Sequence, residues 1–183
     1  MKPAIVAILS VLTAHAAGFP LCLSKLTMTD NSAIFRAQAI VTRAFADAGV
    51  RVEWLSAKQC KNAPDGALYL ILESAASSRF KPRTLGYTQP YNSGTAVHLF
   101  YDRIREDHPR DYSLVLGHAM AHEIAHVLQG IDRHSESGIM KALWTIREYG
   151  DMHLGQLRFA PEDVELLHLG LKHLAAGGFV ARF

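Results

Sequence analysis

At 183 residues the chain is long enough for one domain with a sizeable core. Its 49% hydrophobic and 20% charged residues exclude a disordered polypeptide. Nineteen Lys and Arg stand against seventeen Asp and Glu, so no concentrated basic face is available for phosphates and nucleic acid is not an expected partner.

The N-terminus reads as a secretory signal. Lys2 supplies the positive start, residues 4–14 form a short apolar run, and Ala14-His15-Ala16 fits the small-x-small cleavage rule. The expected division is a signal peptide over 1–16, cut after Ala16, and a mature domain over 17–183, secreted or periplasmic and not inserted in a membrane once cleaved. The competing reading is an N-terminal core helix. The apolar run is too short for a typical spanning helix. Cys22, preceded by Phe19-Pro20-Leu21, lacks a lipoprotein context. Export permits a disulfide between Cys22 and Cys60, although the sequence does not reveal whether the two meet.

Alternation predicts a first strand over 21–28. Asp30 or Asn31 can cap a helix whose apolar face is Ile34, Ala37, Ile40, Val41, Ala44, Phe45 and Ala48, ended by Gly49. Residues 50–55 alternate as a half-buried strand and 57–66 read as loop. A short apolar run at 68–72 suits a central strand. Residues 77–93 show no clear period and read as loop or lid, and 95–101 form a further strand rich in aromatic and β-branched residues.

A helix over 113–129 carries the chemistry. It contains His122-Glu123-Ile124-Ala125-His126, and from Tyr112 to Ile131 its only formally charged residue is Glu123. Residues four apart lie one turn apart on one helix face, so both imidazoles can reach one metal ion, and Glu123 can act as general base on a water activated there. An unpaired carboxylate is costly in so apolar a helix unless a cation offsets it. The bland alternative is two core histidines and a salt-bridged Glu. His118 extends the stripe, but it lies about 12 Å along the axis from His126, too far for one zinc with bonds of about 2 Å. It is expected to pack beside the site. A third protein ligand must come from beyond the helix, with one position left open. Gly130 suits the helix exit, after which Ile131-Asp132-Arg133 can bring His134 back, followed by a polar turn over 135–138 and Ile139-Met140.

The stretch 122–140 resembles the metzincin clan of zinc peptidases, whose signature is HExxHxxGxxH followed by a methionine turn. His134-Ser135 followed by Ile139-Met140 is similar to the matrixin arrangement. The resemblance covers about twenty residues. It implies an α+β, zincin-like single domain: a mixed twisted sheet packed on an N-terminal helix and the zinc-site helix, with a C-terminal helix after the Met-turn. It further implies Zn2+ held by His122, His126 and His134, with Met140 as an apolar floor.

The chain departs from the pattern. Gly130 is four residues after His126, not three, and His134 is eight after it, not six. Asp132 occupies the standard spacing and is the alternative third ligand. A Glu from a downstream helix, Glu148 or Glu162, would instead give a gluzincin-like set. In the clan an edge strand above the zinc pairs with extended substrate; here Gly94, Thr95, Ala96, Val97, His98 and Leu99 are the expected counterpart, against an interior strand with no such role. A Cys22 latch on the zinc, as in a matrixin prosegment, finds no matching residues around it.

The last helix starts near Pro161, with Glu162 and Asp163 at its positive dipole end and Val164, Leu167, Leu171 and Leu174 as its core stripe. The expected activity is zinc-dependent endopeptidase hydrolysis of a peptide or protein substrate, with Glu123 as base. The rivals are a non-catalytic zinc-binding secreted module and a hydrolase of a non-peptide amide.

Overall fold

The computed structural model describes residues 18–26, 29–91 and 94–176; the expected signal peptide and its cleavage site lie outside them. Five strands are formed: β1 (Phe19–Ser24), β2 (Val52–Trp54), β3 (Leu68–Glu73), β4 (Gly86–Tyr91) and β5 (Gly94–Phe100). They make one mixed sheet in the order β2-β1-β3-β5-β4, parallel throughout except that β4 runs antiparallel to β5. Six helices accompany them among the described residues: α1 (Asn31–Asp47), α2 (Ala57–Cys60), α3 (Tyr101–Asp107), α4 (Tyr112–Gln129), α5 (Ile146–His153) and α6 (Pro161–Ala175). The architecture is α+β.

The core lies between the sheet and α1 and α4. Leu21, Leu70, Val97 and Leu99 from the strands meet Ile34, Val41 and Phe45 from α1 and Met120, Ile124 and Leu128 from α4, all at 1% exposure or less. The start of α1 follows its sequence signal, with the Asp30 carboxylate accepting from the Ser32 amide at 2.8 Å. Cys22 on β1 and Cys60 on α2 form a disulfide, with Cα atoms 5.7 Å apart. It ties the sheet to a segment expected as bare loop, where Ser56 and Gln59 instead build a capping box around one helical turn. α3 and α5, at 7 and 8 residues, are each too short to display a helical period in the sequence.

The region 77–93 supplies the main correction. It contains β4, and β4 covers the side of β5 that was expected to be free. β5 is therefore an interior strand: Gly94, Thr95, Ala96, Val97, His98 and Leu99 all pair with β4, and Ala96, Val97, His98 and Leu99 also pair with β3 on the other side. A strand whose backbone groups are paired on both sides has no row left to offer an incoming chain. Among the described residues, the free edge beside α4 belongs to β4. In register, Thr88 lies opposite Val97 and Gly86 opposite Leu99, on the face towards α4, while Tyr87 stacks on His98 on the other face.

α6 closes the domain by crossing α4 at very short range. A Cβ at Gly170 would lie 1.5 Å from the Leu128 carbonyl oxygen, a backbone atom that cannot move aside alone. Gly170→Ala is expected to force the helices apart and lower unfolding stability by about 2–3 kcal/mol in a urea titration. Gly150→Ala, a helical position with nothing within 4 Å of the added Cβ, should instead leave stability unchanged or raise it by about 0.5–1 kcal/mol.

Candidate metal centre

The helical spacing of His122 and His126 places both rings on one face of α4, where they are 9% and 7% exposed. Each ring is oriented by a backbone carbonyl from the chain that follows the helix. His122 Nδ1 lies 2.8 Å from the Ile139 oxygen, and His126 Nδ1 lies 3.4 Å from the Ile131 oxygen. A carbonyl cannot donate, so the short contact of His122 places its proton on Nδ1 and its lone pair on Nε2, and the longer contact of His126 points to the same tautomer. The two Nε2 atoms are 3.1 Å apart. Two lone pairs at that distance repel each other unless a proton or a metal cation lies between them. Tetrahedral zinc with Zn–N bonds of about 2.0–2.1 Å would set them about 3.3 Å apart.

His134 joins this pair. One ligand atom from each of His122, His126 and His134 lies within 4.8 Å of the others. The His134 ring centroid is 5.2 Å from that of His122 and 4.9 Å from that of His126. Burial drives the His122 pKa down to about 3, with the neighbouring His126 adding to the effect. His126 is also lowered, by burial first and by His134 second. Neutral imidazoles with free Nε2 lone pairs are the form a transition metal binds, so the donor set fits zinc.

The alternatives for the third ligand fall elsewhere. Asp132 is exposed and outside the cluster. Glu148 is held by Lys141 Nζ at 2.8 Å and by the Thr145 amide and hydroxyl at 2.7 and 2.6 Å. Glu162 lies 3.7 Å from the Arg133 guanidinium. The lengthened loop therefore brings the histidine, not the aspartate, back to the helix face.

Two devices shape that loop. Gly130 ends α4 in the left-handed conformation, at φ 67°, and its amide bonds back to His126 and Val127. Asp163, fully buried in the first turn of α6, accepts from Ser135 Oγ at 2.6 Å and from Arg133 Nη1 at 2.9 Å. The residues on either side of His134 are thus tethered to one carboxylate. Sequence reading placed Asp163 only as a partner of the helix dipole; nothing local signals its partners 28 and 30 residues away. After the turn, the Ser135 amide bonds to the Met140 carbonyl at 2.9 Å, and Met140 is fully buried.

Glu123 points from the same helix and is half-buried. Burial raises its carboxyl to about 7; the Thr88 hydroxyl, 3.2 Å from Oε2, works against that rise, and the Asp132 charge adds to it. His118 stays outside the cluster, as its distance along the helix required. It is 1% exposed, bonded through Nδ1 to the Leu114 carbonyl at 2.9 Å, and burial lowers its pKa to about 4. Trp144 also borders the site. Its indole stands edge-on to His122 with centroids 6.0 Å apart, and its Nε1 donates to the same Ile139 oxygen at 3.3 Å. No sequence signal distinguished Trp144 from an ordinary core or surface residue. Thr88 sits in a segment without a clear period, and the strand-favouring types Tyr87, Thr88 and Tyr91 are its only local signal.

No protein-family model matches the chain, and no curated protein matches it.

Two outcomes follow from the loop. Asp163→Ala removes the shared anchor on either side of His134 and is expected to weaken zinc affinity at least ~10-fold in a chelator competition. Glu148 sets a second test. Burial pushes its carboxyl up, but hydrogen bonds from Lys141 and Thr145 outweigh this and hold it at about 2, below the ordinary 4.5. A carboxyl depressed on folding stabilises the native state above its unfolded pKa, and that contribution is lost as pH falls through the folded value. Unfolding free energy should therefore decline between pH 4.5 and about 2, and Glu148→Gln should flatten that part of the profile.

Proposed function

We propose that this protein is an exported zinc-dependent endopeptidase of the metzincin type. The observation that carries the reading is the pair of Nδ1-anchored imidazoles whose Nε2 lone pairs face each other at 3.1 Å, joined by His134, with Glu123 next to the first of them. Three imidazoles converging on one point, two of them oriented through Nδ1 by backbone carbonyls, are what a metal site requires. His122, His126 and His134 would hold the ion. Bound there, zinc would supply a Lewis acid that polarises a scissile carbonyl and eases deprotonation of water.

The chain's own residues account for the rest of the chemistry. Glu123 accepts the proton of the attacking water and delivers it to the leaving amine. A carboxyl whose pKa burial has raised towards neutrality suits both halves of that task. β4, the edge strand packed on the helix that bears the site, offers unpaired backbone groups to an extended peptide, which favours a polypeptide over a small amide as substrate. Pro90 lies in β4, opposite Thr95, so one backbone donor of that strand is missing. Met140, buried after the turn, would form the floor beneath the histidines. Export is supported by the Cys22–Cys60 disulfide, a bond that persists in oxidising compartments. Among the described residues no helix is long and apolar enough to cross a membrane.

The test is cleavage of a denatured protein by the mature chain, with and without zinc, beside Glu123→Ala. Zinc-dependent cleavage by the wild type and loss of at least ~100-fold in the variant, with one zinc still bound, is the expected result. Equal cleavage by both proteins removes Glu123 from the mechanism. Zinc bound by both, with cleavage by neither, replaces the peptidase by a non-catalytic zinc-binding module.

A further inference from the structure

We propose that Thr88 is a positioning residue for Glu123, coupling the edge strand to the general base; this rests on the peptidase reading above. The Thr88 hydroxyl lies 3.2 Å from Glu123 Oε2 and 3.3 Å from the Glu123 carbonyl oxygen. It has one proton and two acceptors within reach. An ionised carboxylate is the stronger acceptor, so the proton goes to Oε2. That bond engages one carboxylate oxygen and leaves the other, Oε1, for the reacting water. A Glu side chain otherwise loses considerable rotamer freedom when it is fixed, and nothing on α4 itself fixes this one.

The approach of β4 to the helix is built for this contact. A Cβ at position 86 would lie 2.6 Å from the His98 carbonyl oxygen, 3.0 Å from Leu99 Cδ1 and 3.1 Å from Glu123 Cγ. Only glycine lets the strand pass so close to Glu123. Two residues on, and hence on the same strand face, Thr88 meets the carboxylate. The strand that offers its outer edge to substrate thus holds the base with an inward side chain. The register of β4 against β5, with Thr88 opposite Val97, then sets both the substrate's path and the aim of Glu123.

The experiment compares zinc-loaded wild type with Thr88→Val, which keeps the shape and strand preference but lacks the hydroxyl, and with Thr88→Ser, which keeps the hydroxyl. Thr88→Val is expected to lower kcat about tenfold with KM and zinc stoichiometry unchanged, and Thr88→Ser to restore most of the rate. Thr88→Ala serves as a second hydroxyl-free variant should the valine protein fold poorly. A crystal structure of the metal-free Thr88→Val protein gives a readout independent of turnover: the Glu123 carboxylate should occupy more than one rotamer. An unchanged kcat in both hydroxyl-free variants, equal losses in Thr88→Val and Thr88→Ser, or a single unaltered Glu123 rotamer would each overturn the proposal while leaving the peptidase reading in place. If the wild type itself shows no zinc-dependent turnover, or Glu123→Ala cleaves as well as wild type, that reading falls and this one falls with it.

Discussion

Two imidazoles are held with their Nε2 lone pairs facing each other by carbonyls that accept from their Nδ1 protons, and much of the molecule serves that constraint. The carbonyls belong to Ile131 and Ile139, both in the chain after α4, so the helix alone cannot orient its own histidines. The loop from 130 to 141 has to take one shape. It starts from a left-handed glycine, is tied by Ser135 to Met140, and is anchored through Ser135 and Arg133 to the buried Asp163. Asp163 in turn stands at the start of α6, which reaches α4 closely enough to require Gly170. The C-terminal helix and the site helix are thus joined by backbone approach and through the loop that carries His134.

The sheet meets the same helix from the other side. Val97 and Leu99 pack towards α4, and β4 brings Gly86 and Thr88 against Glu123. Placing an antiparallel strand at this edge has two consequences. It completes the hydrogen bonding of β5, and it moves the free edge to a strand in direct contact with the carboxylate. The other face of that edge is shielded by aromatic stacking: Tyr87 lies on His98 at 4.5 Å and on Phe80 at 4.6 Å. The Tyr87 ring on one face and Gly86 and Thr88 on the other give β4 a defined orientation, because a slip of one residue would exchange the two sets.

Local patterns in the sequence were legible wherever one element's periodicity was enough. The capped α1, the strands β1, β2, β3 and β5, the buried site helix and the Pro161 start of α6 all lie close to their expected positions. Failures came where the signal was short or its partner distant. β4 has only six residues and interrupts a stretch of Gly, Pro and polar residues, so its alternation was too brief to stand out. The supposed edge role of 94–99 failed for the same reason, since an edge is defined by what is absent beside it. Trp144, Asp163 and Thr88 carry residue types that serve equally well elsewhere, and only their neighbours give them roles.

The sequence by itself determined that His122 and His126 share one helix face with Glu123 beside them, because spacing along an α-helix converts directly into direction. It also determined that Gly130 would end the helix, since a left-handed residue there favours glycine. Only the tertiary structure decided that His134, not Asp132, joins the pair, that Cys22 meets Cys60, and that the free sheet edge lies at β4 and not β5. Those outcomes depend on contacts between residues far apart in the chain. Such contacts arise from packing and loop closure across the whole core, and no local period encodes them.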